Sequence, residues 1–444
     1  MRARPWRVGT SVALGGLLAL SLVQCAPDRD NEPPAPSVPR LANPESWSAR
    51  YVAGSRPIVD SSSRRWEPDE AVARGGDLQS TSQEIAGTSS PELYRQQRSG
   101  LDGYSIPVPA SGTYEVDLLM TETKESSVGS RVFDISAEGR PMVSGVDIFA
   151  RSGLASAHHE VLVVAVQDGA LDLSFRASHG AAHISAVSVA FVSLGTGTDR
   201  PIFTDDFDGP AGSSPDPGVW NHETGGDGWG NSELQTYTRS TANSVVDGSG
   251  RLVVTALRES RTGADGIQRG YTSARLTTKG NVAFRYGAIS ARLQVPAGKG
   301  LLPAFWTLGS DIDRVRWPAS GEIDVAEVKG DTPDEVHGTL HGPVSGSHDD
   351  YQRGASRIAG GSLADAFHTY SATWLPNTVS LFLDGQRYAV LSRADLAAGE
   401  GWPFDKPHYL LLNLAVGGDS PGSPDQNTPF PARLLADQVR VTQW

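Results

Sequence analysis

Between positions 322 and 327 the chain reads Glu-Ile-Asp-Val-Ala-Glu, three carboxylates within six residues on a stretch otherwise made of β-formers and small residues. Side chains on a strand alternate faces, so Glu322 and Asp324 point the same way and Glu327, five positions after Glu322, points the other way. One extra residue, a β-bulge around Val325-Ala326, returns Glu327 to the first face. The two glutamates then stand roughly 13 Å apart at the backbone, at ~3.3 Å per residue. Strand curvature and two long side chains can close that to the ~5–5.5 Å between carboxyls used in retaining glycoside hydrolysis. A solvated acidic edge strand is the competing explanation, but inward-facing acids beside tryptophans and glycines are a poor way to blunt an edge.

The chain around this run resembles the laminarinase-type glycoside hydrolases of family 16, whose active-site strand carries E-I-D-x-x-E. The likeness extends through Phe203-Thr-Asp-Asp-Phe207, Gly228-Trp-Gly-Asn-Ser-Glu-Leu-Gln-Thr-Tyr-Thr238, Tyr271-Thr-Ser-Ala-Arg-Leu276 and Tyr286-Gly-Ala-Ile-Ser-Ala-Arg292. It continues in Leu302-Pro-Ala-Phe-Trp-Thr-Leu308, His337-Gly-Thr-Leu-His341, Tyr409-Leu-Leu-Leu-Asn-Leu-Ala-Val-Gly-Gly418 and Ala436-Asp-Gln-Val-Arg-Val441. The resemblance implies a concanavalin-like β-jelly-roll sandwich over residues 202–444, with Glu322 and Glu327 on its concave face. It also assigns roles: Glu322 as nucleophile, Glu327 as acid/base, and Asp324 sharing a proton with Glu322. Chemistry agrees, because three carboxyls so close together cannot all ionise freely.

Trp306 and Trp317 flank the motif and are candidates to stack on pyranose faces, with core packing as the alternative. Asn231, Glu233, Arg275 and His341 match positions that line the family's sugar cleft. Laminarinases usually carry tryptophan where Ser420 and Leu302 stand here, which weakens a stacking subsite. Asp437 matches an aspartate that helps to hold a structural calcium in the family; no cofactor is required for the chemistry. The ten histidines form no H-E-x-x-H or cysteine-paired zinc arrangement. Gly418-Asp-Ser-Pro-Gly422 fits G-x-S-x-G, but Pro421 and the Pro-rich run after it cannot open the helix that a nucleophile elbow requires.

A chain of 444 residues suggests two or three domains. Its 49 glycines and 29 prolines suit a turn-rich β protein. From Trp47 to Ser193 short apolar strands alternate with Gly-containing breaks, the pattern of an all-β sandwich. This part is similar to malectin-like carbohydrate-binding domains in Leu93-Tyr-Arg95, Tyr104-Ser-Ile-Pro-Val-Pro109, Gly112-Thr-Tyr-Glu-Val116, Glu122, and Arg131-Val-Phe-Asp-Ile135 with Glu138-Gly139. Thr123-Lys124 stand where malectin carries an aromatic pair, so a spacer or docking role competes with sugar binding. The expected layout is a malectin-like β-sandwich over 47–193, a linker over 194–201 and the hydrolase over 202–444.

Net charge is −13 with no basic stripe, which excludes nucleic acid as an evident partner and leaves a neutral polysaccharide. A monomer is expected. Arg2, Arg4 and Arg7 precede an apolar run from Val12 to Val23, the pattern of a signal peptide over 1–25. The single cysteine, Cys25, forms no intrachain disulfide. Leu22-Val-Gln-Cys25 resembles a bacterial lipobox, with Gln24 departing from the usual small residue; Val23 and Cys25 also satisfy an ordinary signal peptidase. Either route gives an exported chain, membrane-bound only through a lipid on Cys25, with residues 26–46 as a disordered tether. Three functions follow: an exported retaining endo-β-1,3-glucanase, a galactanase or transglycosylase on the same site, or a catalytically silent glycan-binding envelope protein.

Overall fold

A computed structural model describes residues 47–193, 200–263 and 265–443. The signal segment, Cys25, the tether and most of the expected linker lie outside them. Among the described residues no helix is long and apolar enough to cross a membrane, and the helices present are one or two turns long.

The first domain is a sandwich of two mainly antiparallel sheets built from β1 (Ser48–Val52), β2 (Gln96–Pro107), β3 (Gly112–Met120), β4 (Val132–Ala137), β5 (Arg140–Val146), β6 (His158–Val166), β7 (Ala170–His179) and β8 (Ala186–Ser193). One sheet runs β1-β8-β3-β6, extended beyond β1 by two short strands; the other runs β2-β7-β4-β5, extended beyond β2 by a two-residue strand, with Ala73–Ser80 also pairing β2. Alternate residues of β3, Tyr114, Val116 and Leu118, meet Ile106, Phe133, Ile135 and Leu173 in a closed apolar core. Glu122 is structural here. Its Oε1 accepts three main-chain N–H groups, from Thr123, Lys124 and Glu125, and Arg131 holds its Oε2.

β3 is buried at all nine positions, although its sequence Thr-Tyr-Glu-Val-Asp-Leu alternates as a half-exposed strand would. The polar face is covered by the second domain. Glu115 accepts from Asn377 N at 2.8 Å and Thr378 Oγ1 at 2.6 Å. Asp117 accepts from Ser392 Oγ at 3.0 Å and contacts His159 Nδ1 at 2.9 Å. The other nitrogen of His159 lies 3.2 Å from Asp395. Burial alone would lower the His159 pKa, but Asp117 and Asp395 outweigh it and raise it well above the usual value. Desolvation raises Glu115 to about 8, against its hydrogen bonds from Thr378 and Asn377.

The second domain is a two-sheet jelly roll. Its strands are β9 (Arg200–Asp205), β10 (Arg275–Thr277), β11 (Gly287–Gln294), β12 (Leu301–Gly309), β13 (Glu322–Val328), β14 (Glu335–Pro343), β15 (Asp350–Ile358), β16 (His368–Trp374), β17 (Thr378–Leu383), β18 (Gln386–Ser392), β19 (His408–Val416) and β20 (Ala432–Gln443). One sheet runs β10-β19-β12-β13-β14-β15, extended beyond β10 by Asn221–Glu223, and the other β20-β11-β16-β17-β18, extended beyond β20 by Leu252–Ala256 and Ser244–Val246, with β9 also pairing β20. β14 shows why this chain makes a two-faced sheet. Val336 and Leu340 enter the inter-sheet core, while His337, Thr339 and His341 take the opposite face. Phe305 of β12 is fully buried in the same core, where truncation to Ala would cost ~3–5 kcal/mol. Pro303 has no N–H to give, and it lies just beyond Ala304↔Glu327, the last pair between β12 and β13.

Candidate active site

β13 sits in the middle of its sheet, between β12 and β14. Gly321 turns the chain into it with φ +81°, and a Cβ there would meet Pro403 at 2.8 Å. Along β13 the register to β12 runs Leu308↔Glu322, Thr307↔Ile323 and Trp306↔Asp324, then resumes at Phe305↔Ala326 and Ala304↔Glu327. Val325 is the extra residue, so the bulge falls at Val325-Ala326, as the parity of the sequence requires. Both bulge residues enter the apolar core. Glu322, Asp324 and Glu327 therefore share the opposite face and line one cleft of about 560 Å³.

Burial first, then repulsion from Asp324, raises the Glu327 carboxyl to about 8, so it carries a proton at neutral pH. The same two causes push Glu322 upward. Two opposing contacts favour its ionised form: the His341 charge and the Trp317 indole, whose Nε1 donates to Glu322 Oε2 at 2.7 Å. His341 Nε2 stands 3.1 Å from Asp324 Oδ2, and its Nδ1 2.7 Å from Asp350 Oδ2. Asp324 Oδ2 has no well-aligned hydrogen-bond donor, so the His341–Asp324 contact is one of charge. Burial would lower His341, but Asp324, Glu322 and Asp350 overcome it and raise it to about 10. The trio is thus crowded enough to retain a proton and carries one fixed cation beside it.

The six residues expected to bind substrate all line this cleft, in different ways. Trp317 is 45% exposed, leaving area free for a sugar face. Trp306 forms the floor: its Nε1 donates to Asn413 Oδ1 at 2.7 Å, and the Arg275 guanidinium covers its ring at 4.6 Å. Arg275 is itself held between Trp306 and Trp229, 4.8 Å from the latter ring, with Nε on Glu223 at 2.5 Å. Glu233 is buried and accepts from Gln235, and desolvation raises its pKa. The Asn231 carbonyl accepts from Asp419 N at 2.9 Å, tying the loop of Trp229 to the one that carries Ser420.

Three further residues line the cleft without a binding role read from the sequence, Trp229, Gln352 and Asn413, and a fourth, Asp350, stands behind it on His341. Asn413 had a signal, as a lone amide inside the apolar strand Leu-Leu-Leu-Asn-Leu-Ala-Val. Asp350 had none, because it lies in the polar run Ser-Gly-Ser-His-Asp-Asp and reaches the site only through pairing of β15 with β14.

A second cavity, about 520 Å³, lies between Thr88 and Ser89 of the first domain and strands β15 and β18. Its acid, Asp395, is bound to Thr88 and His159, so it offers no carboxyl pair. Asp437, on β20, pairs with Arg292 through one oxygen; the other is buried without a partner, which fits one ligand of a hard cation. Among the described residues Asp437 joins no cluster of three His, Cys, Asp or Glu, so a calcium ion there would rely on main-chain carbonyls.

Two glutamates with an aspartate between them, on the open face of a β-sandwich and beside exposed indole, define a carbohydrate-cleaving class of protein. Residues 232–429 match the glycosyl hydrolases family 16, and residues 48–192 match the malectin domain. The chain is 38% identical over 250 residues to a beta-glucanase of Rhodothermus marinus, covering 55% of this chain and 85% of that protein. It is 37% identical over 239 residues to a glucan endo-1,3-beta-glucosidase of Cryptopygus antarcticus, covering 52% and 85%. The structure of an endo-beta-1,3-glucanase from Pyrococcus furiosus aligns with a TM-score of 0.51 at 38% identity, over 55% of this chain and 94% of that one. The chain belongs to glycoside hydrolase family 16 and carries a malectin domain ahead of its hydrolase domain.

Proposed function

We propose that this chain is an exported, retaining endo-β-1,3-glucanase that works by double displacement. The observation that carries the mechanism is the bulge at Val325-Ala326, which gathers Glu322, Asp324 and Glu327 in one cleft. Ionised Glu322 attacks the anomeric carbon while protonated Glu327 gives its proton to the leaving oxygen. Asp324 takes up a proton shared with Glu322 as the nucleophile's charge is consumed. Glu327, now a carboxylate, removes a proton from water, and that water releases the sugar from Glu322 with net retention.

Support for the β-1,3-glucan substrate comes from the relatives, two of which bear 1,3-glucan names. Export rests on the charged and apolar pattern of residues 2–23, with Cys25 the candidate lipid carrier. The cleft favours a second reading at one point. Leu302 and Ser420 both line it where laminarinases carry tryptophan, so a galactan or a transfer reaction on the same carboxylates is the alternative. A silent glycan-binding role is disfavoured because all three acids are present and grouped. Reducing-sugar release from laminarin, lichenan, agarose and κ-carrageenan decides: laminarin is cut fastest, with products of several lengths. Faster cleavage of either galactan would overturn the glucanase assignment and leave the mechanism standing.

A further inference from the structure

Asp350 opens β15, and on that strand Gln352 stands directly opposite His341. Asp350 is two residues earlier and so on the same face of the sheet. Its Oδ2 takes the Nδ1 side of His341 at 2.7 Å, while the other ring nitrogen faces Asp324 at 3.1 Å. The charged and titratable groups around His341 are Asp324, Glu322 and Glu327 from β13 and Asp350 from β15, and the Trp317 ring packs 6.1 Å away.

We propose that Asp350 is a positioning residue for this site: by accepting the Nδ1 proton of His341 it fixes the ring orientation and keeps it an imidazolium beside the three acids. A carboxylate on one ring nitrogen sets which way the other points and favours the doubly protonated ring. That cation matters to catalysis through charge alone. It acts to lower both Glu322 and Glu327, opposing the burial and mutual repulsion that hold protons on them. Without it the nucleophile is harder to ionise and the acid/base holds its proton to higher pH. Asp350 touches no substrate in this scheme and works only through His341. The inference rests on the hydrolytic reading above for its catalytic consequence, and on geometry alone for its effect on the ring.

Asp350→Asn keeps the shape and removes the charge. In the full chain, the His341 ring signal followed by NMR should stay flat through pH 9 in the wild type and titrate at least about one unit lower in the variant, the size of a close charge contact. Hydrolysis should slow on the order of tenfold in kcat with KM nearly unchanged, and both limbs of the pH–rate profile should move to higher pH. A purely structural role would lower activity and Tm without moving the limbs. His341→Gln supplies the second control: adding Asp350→Asn to it should cost little more. An unshifted His341 titration, or an equal loss in the His341→Gln background, would overturn the proposal. A wild-type chain that cleaves no polysaccharide would instead remove the hydrolytic reading, while the His341 titration would still decide whether Asp350 holds the ring.

Discussion

Trp317 Nε1 lies 2.7 Å from Glu322 Oε2, joining a half-exposed indole to the carboxylate proposed to attack the sugar. An indole N–H can only donate, so the bond favours the ionised glutamate over the protonated one. The same side chain can therefore present a ring face to substrate and keep the nucleophile ready.

Trp317→Phe keeps a ring and deletes the donor. Its expected effect is a rise of roughly one pKa unit in the acid limb of kcat/KM, about tenfold lower activity below that limb. Tm should change little, since the side chain is largely outside the core. An unmoved acid limb would show that the contact does not tune Glu322.

Activity on polysaccharide should also fall as pH rises through about 8, where Glu327 loses its proton. Substrates with good leaving groups need less protonation and should lose less over the same range. A basic limb of equal depth for both substrate kinds would point to some group other than the acid.

The interface between the domains carries its own pH dependence. Glu115 is raised from about 4.5 to about 8 by burial, so its contribution to stability is full below about 4.5 and lost as pH rises through 8. His159 is also raised and acts in the same direction. Glu115→Gln mimics the protonated acid and can still accept from Asn377 N. Its Tm should match the wild type at pH 5 and exceed it by ~2–4 °C at pH 9. A variant less stable than the wild type at pH 9 would mean that the ionised form is the one accommodated.

Hydrogen bonds and charges dominate the contacts traced from β3 and from His159 of β6 to the second domain, so Asn377, Thr378, Ser392 and Asp395 can turn to water if the first domain is removed. The fragment 199–444 is expected to fold and hydrolyse polysaccharide, with Tm lower by roughly 2–8 °C. An insoluble or inactive fragment beside an active full chain would show that the first domain completes the core or the cleft.

Features governed by local parity were legible in the sequence, whereas those set by non-local packing were not. Five residues from Glu322 to Glu327 force either opposite faces or a bulge, and Val325 supplies it. The alternation in β3 announces two different faces but cannot say that Glu115 and Asp117 meet another domain. Nor does any one-dimensional signal place Arg275 between Trp229 and Trp306, because those three residues come from a loop and two different strands. Asp350 becomes a partner of His341 only after β15 pairs with β14.

The division of labour between Glu322 and Glu327 is tested most directly by azide rescue on an aryl glycoside with a good leaving group. Glu327→Ala should still form the glycosyl-enzyme, stall for want of a base, and turn over again with azide to give the β-glycosyl azide. Glu322→Ala should be nearly inert alone and give the α-glycosyl azide, by direct attack in the space left by the nucleophile. The opposite anomers would reverse the two assignments, and two variants as fast as the wild type would show that neither carboxylate takes part in the chemistry.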